Sequence, residues 1–123
     1  MRAVLPAAAL VAALLADTAR AGADAQRGQQ AYEARCAGCH SVDADRIGPR
    51  HAGLLGRPAG SVAGFDYSDA LRRSGITWDA ALLERWLADP EALVPGQRMG
   101  YRLGDAQARA DIVAYLVSLS PGR

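Results

Sequence analysis

Cys36-Ala37-Gly38-Cys39-His40 gathers three side chains capable of holding a metal or a prosthetic group within five positions. The cysteines are the only two in 123 residues, and His51 is the only other histidine. Four chemistries are open to such a cluster: a redox-active dithiol, a zinc site, a bare disulfide, and thioether attachment of a haem. A dithiol Cys-x-x-Cys belongs beside a βαβ pattern, and nothing in this chain reads as a central sheet. Zinc could count Cys36, Cys39, His40 and His51, but adjacent Cys39 and His40 are an awkward pair for one tetrahedron, and structural sites favour separated ligand pairs. A disulfide across two intervening residues would be strained and would close almost no loop. Haem attachment demands cysteine at two fixed positions and histidine at a third, so it is the specific reading. On one helical turn each thiol can add to a different vinyl group of the same haem, and His40 then offers an imidazole nitrogen to the iron. Both sulfurs become thioethers, and no redox-active thiol survives.

The elements that must position this cluster are helical. A first helix is expected from about Ala25 to Cys36, with Gly28, Ala31, Tyr32 and Cys36 on one face. A second is expected to start at Thr77 as N-cap with Asp79 in its first turn. It turns Leu82, Leu83, Trp86 and Leu87 inward and stops at Asp89-Pro90. The third starts at Asp105 as N-cap, carries Ala108, Ile112, Tyr115, Leu116 and Leu119 on one face, and is ended by Pro121. Between the first two, Gly48, Gly53, Gly56, Gly60 and Gly64 punctuate a stretch without the alternation of strands. A short helical turn, Ser68 to Ser74, follows and is closed by Gly75. Val94 to Gly100 forms a loop before the third helix. The pattern predicts an all-α domain of three main helices plus short helical turns and loops, with helices too few to fill their own centre.

Composition agrees with a missing interior. Phe65 is the only phenylalanine, against 13 glycines and 6 prolines, and small loop-rich domains usually need a staple or a cofactor. The N-terminus reads as an address rather than as structure. Arg2 precedes an apolar run from Ala3 to Ala16, followed by the small-residue patterns Ala19-Arg20-Ala21 and Ala23-Asp24-Ala25. These are the parts of a secretory signal peptide, and the run is shorter than the roughly 18–20 residues that span a bilayer. Residues 1–21 are therefore expected to be a cleaved signal, with an alternative end at 25, and residues 22–123 a single domain. The alternative is an uncleaved N-terminal membrane anchor. Without Arg2, Arg20 and Asp17, twelve arginines face twelve acidic residues, and there is no lysine. A neutral domain without a basic run is a poor partner for nucleic acid, whose binding needs clustered positive charge.

From about Ala25 to Leu119 the sequence resembles a class I cytochrome c of the mitochondrial and small soluble bacterial type. Beyond "CAGCH", the resemblance rests on "IGPRHAGLLGRPAG" at 47–60, "GFDYSDA" at 64–70, "GITW" at 75–78, "RWLADP" at 85–90, "PGQRM" at 95–99 and "DIVAYL" at 111–116, in the family's order. It implies the cytochrome c fold wrapped around one covalent haem c, with His40 and Met99 as axial ligands of the iron. A lone methionine in a loop is more often gap-filler, and it is the motif that gives Met99 this role. His51 is the rival ligand. The resemblance places it on the His40 side, where the family more often carries an aliphatic core residue, and it is expected to be a packed or partly exposed histidine without function.

The resemblance also assigns supporting residues. Pro49 would accept a hydrogen bond from His40 Nδ1–H, which fixes tautomer and ring plane. Arg57, Tyr67 and Trp78 match residues that hold a buried haem propionate, a carboxylate that needs such partners out of water. Gln97 stands where the family usually has a hydroxyl. Trp86 takes the place of a tyrosine near Met99, and its indole N–H donates but does not accept; Leu71 replaces a polar residue in the same region. Both make the Met99 side more apolar, which favours the less charged ferrous centre. Gly28, Ile112 and Tyr115 match the crossing of the terminal helices.

The implied function is that of an exported, periplasmic single-haem carrier, a monomer, moving one electron at a time by outer-sphere transfer through the exposed haem edge. A neutral imidazole and a soft thioether favour ferrous iron, and with both faces closed no small-molecule substrate reaches the iron, so the protein is not expected to be an enzyme. Its partners would be membrane or periplasmic redox proteins, met through basic residues drawn from Arg46, Arg50, Arg72, Arg73, Arg98 and Arg102. Two alternatives stand beside it: a dedicated cytochrome subunit or electron acceptor of one periplasmic dehydrogenase, and a haem gas sensor or peroxidase, which needs an open sixth position and a distal catalytic pair that the sequence does not supply.

Overall fold

A computed structural model describes residues 22–120. The expected signal peptide at 1–21 and the stop at Pro121 lie outside the described residues. Among the described residues there are five helices and no strand, only one isolated antiparallel bridge between Pro58 and Thr77.

Each helix begins at a side chain able to satisfy its first backbone N–H groups. Helix α1, Ala25–Arg35, starts at Asp24, whose carboxylate accepts from Arg27 N–H at 2.7 Å. The short α2, Asp69–Arg72, starts at Ser68. Helix α3 spans Ala80–Ala88 and is capped by Asp79, not by Thr77 as the sequence pattern suggests. The reason lies outside the helix. Ile76 and Trp78 carbonyls accept from Ala59 and Gly56, and Trp78 N–H donates to Arg57, so residues 76–78 are held extended against the glycine-rich loop. The helix cannot start before 79.

The expected stop at Asp89-Pro90 is also a start. Asp89 ends α3 and caps a further short helix, α4, Pro90–Leu93, with proline at its first position where no N–H is needed. Helix α5, Ala106–Ser118, begins at Asp105 as expected.

The framework is the crossing of α1 and α5. A Cβ on Gly28 would lie 1.8 Å from the Asp111 carbonyl oxygen, so only glycine lets the backbones meet here. Tyr32 and Tyr115 pack edge to face beside it at 5.3 Å, and Ile112 is fully buried. The buried face of α5 is wider than the expected stripe, because Asp111 and Val113 are also buried. Asp111 accepts from Asp24 N–H, from Arg27 and from Gln107, which fastens the start of α1 to the middle of α5. Those donors hold its carboxyl at about 2, with the Arg27 hydrogen bond as the main cause. Arg109 joins α5 to α3 through Glu84 at 2.8 Å. The helices form a frame around a space they do not fill.

Candidate haem-binding cavity

That space is a cavity of about 460 Å³, walled largely by apolar side chains, among them Leu54, Leu83, Leu87, Ile112 and Leu116. Cys36, Cys39, His40 and Met99 all line it, so the fold brings the motif at the end of α1 to face a methionine 59 residues further along.

The first three are set by a single turn of chain. Beyond α1, Cys39 N–H and His40 N–H both donate to the Cys36 carbonyl, at 3.1 and 2.9 Å, which puts the two thiols and the imidazole on one side. Burial, with the neighbouring Cys39 as a lesser cause, pushes the Cys36 thiol up to about 11. A reactive dithiol needs a thiolate at neutral pH, so this environment opposes the dithiol reading.

His40 is held as a ligand imidazole should be. Its Nδ1 lies 3.0 Å from the Pro49 carbonyl oxygen and donates to it. Its Nε2 has no protein partner, and among the described residues no buried side-chain polar atom lacks one, so Nε2 opens to the cavity. Gly48 makes the arrangement sterically feasible: a Cβ there would lie 2.0 Å from His40 Cε1. Burial lowers the His40 pKa, which keeps the ring neutral and able to bind a metal. Among the described residues no cluster of three His, Cys, Asp or Glu is arranged to hold a metal ion directly, and His51 is not positioned as a fourth zinc ligand. It stacks on His40 instead, with ring centroids 4.2 Å apart.

Arg57, Tyr67 and Trp78 also line the cavity. Arg57 donates to the carbonyls of Ala52 and Arg50, and burial lowers its pKa. Tyr67 accepts from Val62 N–H at 3.1 Å, which leaves its own proton free to donate. Trp78 Nε1–H likewise has no protein acceptor and is not enclosed. A cation and two idle donors on one wall suit a buried carboxylate. Trp86 packs edge to face on Trp78 at 5.4 Å, and Leu71 lines the same cavity. Gln97 stands apart. It lies outside the cavity wall, where its Oε1 accepts from Met99 N–H and its Nε2 donates to Glu91.

Most of the expected docking arginines are paired with acids. Arg50 meets Asp45, Arg72 meets Asp69, Arg98 meets Asp66 and Arg102 meets Asp89. Arg46 instead donates to the carbonyls of Ala37, Gly38 and His40, bracing the CAGCH turn. Arg46 and Arg73 are the two of the six without an ion pair among the described residues. Sequence reasoning missed the bracing by Arg46, the close approach of Gly48, and two exposed apolar residues at the cavity mouth, Ile47 and Tyr101. Only the Gly-Pro at 48–49 offered a signal, as a rigid bend eight residues after the histidine.

An apolar cavity with a free imidazole nitrogen, a thioether, two thiols and donors for a carboxylate fits a haem. The comparisons agree. The family model described as Cytochrome c matches residues 25–120. Cytochrome c of Gibberella zeae is 41% identical over 100 residues, covering 78% of this chain and 94% of that protein. Cytochrome c2 of Rhodomicrobium vannielii is 40% identical over 105 residues, covering 82% and 83%. Among solved structures, cytochrome cH from Methylobacterium extorquens superposes with a TM-score of 0.73 at 41% identity, over 77% of this chain and 98% of that one.

Proposed function

Because the chain belongs to the cytochrome c family, and so carries covalently attached haem c and moves electrons, we propose that Cys36 and Cys39 hold the haem while His40 and Met99 close the two faces of its iron. The observation that carries this is the disposition of His40, tethered through Nδ1 to Pro49 with Nε2 open to the cavity that Met99 also lines. When bound, haem c supplies a ferric/ferrous couple. The protein's part is to keep that couple to one electron and outer-sphere transfer. His40 and Met99 occupy the positions a substrate would need, and the rigid frame means little moves when the charge changes. Arg57, Tyr67 and Trp78 hold a propionate ionised away from water, and Gln97 acts on Met99 through its backbone rather than on the cofactor.

The protein works in the periplasm, delivered by a signal at residues 1–21 and acting as the single domain 22–123, as a monomer that meets other redox proteins. Among the described residues no helix is long and apolar enough to cross a membrane. Trp86 and Leu71 raise the potential by making the Met99 side apolar. Trp86→Tyr and Leu71→Asn are expected to lower it, and an upward shift in both by redox titration would sink that point.

The main reading is tested by optical spectroscopy of the purified protein. Haem should stay with the chain through acid–acetone extraction and be released from the Cys36→Ala, Cys39→Ala variant. The ferric protein should show a sulfur-to-iron charge-transfer band, and the ferrous protein should not bind carbon monoxide at neutral pH. Ready carbon monoxide binding would overturn it in favour of an open-site sensor or peroxidase.

A further inference from the structure

His51 sits in the chain just after Pro49, half-buried, and two contacts define it. Its ring lies nearly parallel to that of His40, with centroids 4.2 Å apart and an interplanar angle of 23°. Its Nδ1 lies 2.9 Å from the hydroxyl oxygen of Tyr32 on α1. Tyr32 is only 4% exposed, and among the described residues its hydroxyl has no other hydrogen-bond partner. A buried phenol needs an acceptor for its proton. Tyr32 therefore donates to His51 Nδ1, that nitrogen carries no proton, and the His51 proton sits on Nε2. Nε2 has no protein partner and opens to the cavity His51 lines.

The hydrogen bond from His40 to Pro49 fixes the tautomer and where Nδ1 points. Contrary to the expectation from the sequence, a single bond does not fix the ring plane, because the imidazole can still turn about it. A flat ring stacked on it removes this freedom, and a ring tethered at one nitrogen is a firmer stop than an aliphatic side chain with several rotamers. We infer that Tyr32 and His51 form a positioning pair for His40: the Tyr32 hydroxyl fixes the tautomer and place of His51, and the His51 ring sets the plane of the His40 imidazole. The pair links that plane to the packing of the terminal helices, since Tyr32 also contacts Tyr115 of α5. The inference rests on the reading of His40 as an axial ligand and adds to it a role for a histidine that would otherwise be inert.

The test uses the haem-loaded ferric protein and its paramagnetic proton NMR spectrum, in which the spread of the haem methyl shifts follows the orientation of the axial imidazole plane. His51→Leu should redistribute the methyl shifts. Tyr32→Phe, which keeps the ring packing and removes one oxygen, should move them in the same sense by less. In the double variant, Tyr32→Phe should add nothing to His51→Leu. Reduction potentials should follow the same order of effect. If Tyr32→Phe leaves both the methyl pattern and the potential at the wild-type values, or acts equally with and without His51, the pairing is overturned; this holds even if His51→Leu fails to take up haem. A wild-type ferric spectrum that is not low-spin would instead overturn the ligand reading of His40, so the two failures are distinguishable.

Discussion

The two parts of the cavity wall that carry His40 and Met99 are built to different standards. On the His40 side the imidazole is tethered to Pro49, pressed by Gly48 and stacked on His51, while Arg46 binds the carbonyls of the turn that carries it. That turn is paired to the following loop by backbone bonds from Gly48 to Cys39 and from Ala52 to Val42, and it grows directly from α1, which is bound to α5 through Asp111. On the Met99 side, the side chain hangs from a loop secured by few bonds. Met99 N–H donates to Gln97, and Glu91 accepts from Gly96 N–H at 2.8 Å and Gln97 at 3.2 Å, all near the surface. His40 belongs to the core, whereas Met99 belongs to a loop held near the surface by the Glu91 carboxylate, the Arg98–Asp66 pair and one backbone bond from Gln97 to Val94. Local stability follows the density of buried contacts, so the thioether side should yield first under any stress.

The largest test of that contrast exchanges the ligands. His40→Ala should abolish the low-spin spectrum and strip the protein of its function. Met99→Ala should leave haem attached and the fold intact but open the iron to carbon monoxide, lower the potential and erase the charge-transfer band. Equal damage from both variants, read by visible spectra and thermal melts, would remove the asymmetry.

Next in size is the support behind the His40 side. Asp111→Asn should lower the melting temperature by several degrees at neutral pH, because the replacement amide cannot match the charge-assisted bonds from Arg27. The sign with pH is set by a carboxyl held at about 2 against about 3.9 in an unfolded chain. The contribution is fully present above the unfolded value and is lost as pH falls through the folded one. The difference between wild type and Asp111→Asn should therefore shrink between about pH 4 and pH 2, and a constant gap across that range would contradict it.

Glu91→Ala should act on the other wall alone. Loss of two exposed bonds weakens the loop by about 1 kcal/mol. On heating, the sulfur–iron band should fade at a lower temperature than in wild type, while the helical signal melts where it did before. Coincident shifts in both probes would mean the loop is not an independent unit.

The smallest effect concerns the rim. With Arg50, Arg72, Arg98 and Arg102 each paired to an acid, the mouth offers little net charge for long-range steering. Electron transfer to a charged partner should change only weakly with ionic strength, whereas Asp69→Asn and Asp66→Asn together should steepen that dependence by freeing two arginines. Stopped-flow rates across a salt series would decide it.

Where the sequence reading succeeded, it used local signals. The aspartate cap at Asp105, the proline at 90 and the i, i+3, i+4 spacing of Cys36, Cys39 and His40 each depend on a handful of neighbouring residues. It misplaced the cap of α3 because Thr77 and Asp79 are both good caps in isolation, and only the pairing of residues 76–78 with the loop at 56–59 chooses between them. It passed over α4 because one turn is too short for periodicity to register. The buried Asp111 was invisible for a related reason. On a helical wheel a charge marks the solvent face, and the partner that reverses this, Arg27, is 84 residues away.

The amino-acid sequence alone determined the chemistry on offer: two thiols and an imidazole on one turn, a single methionine after Met1, and apolar stripes too few to close a core. These are properties of spacing and residue type, which local backbone geometry is enough to read. Only the tertiary structure decided what each group faces. It tied His40 Nδ1 to a carbonyl nine residues on and opened its Nε2 to the cavity, turned Gln97 toward the Met99 backbone and Glu91, and set His51 between Tyr32 and His40. Such orientations depend on contacts between segments far apart in the chain, whose energies exist only once the helices have crossed.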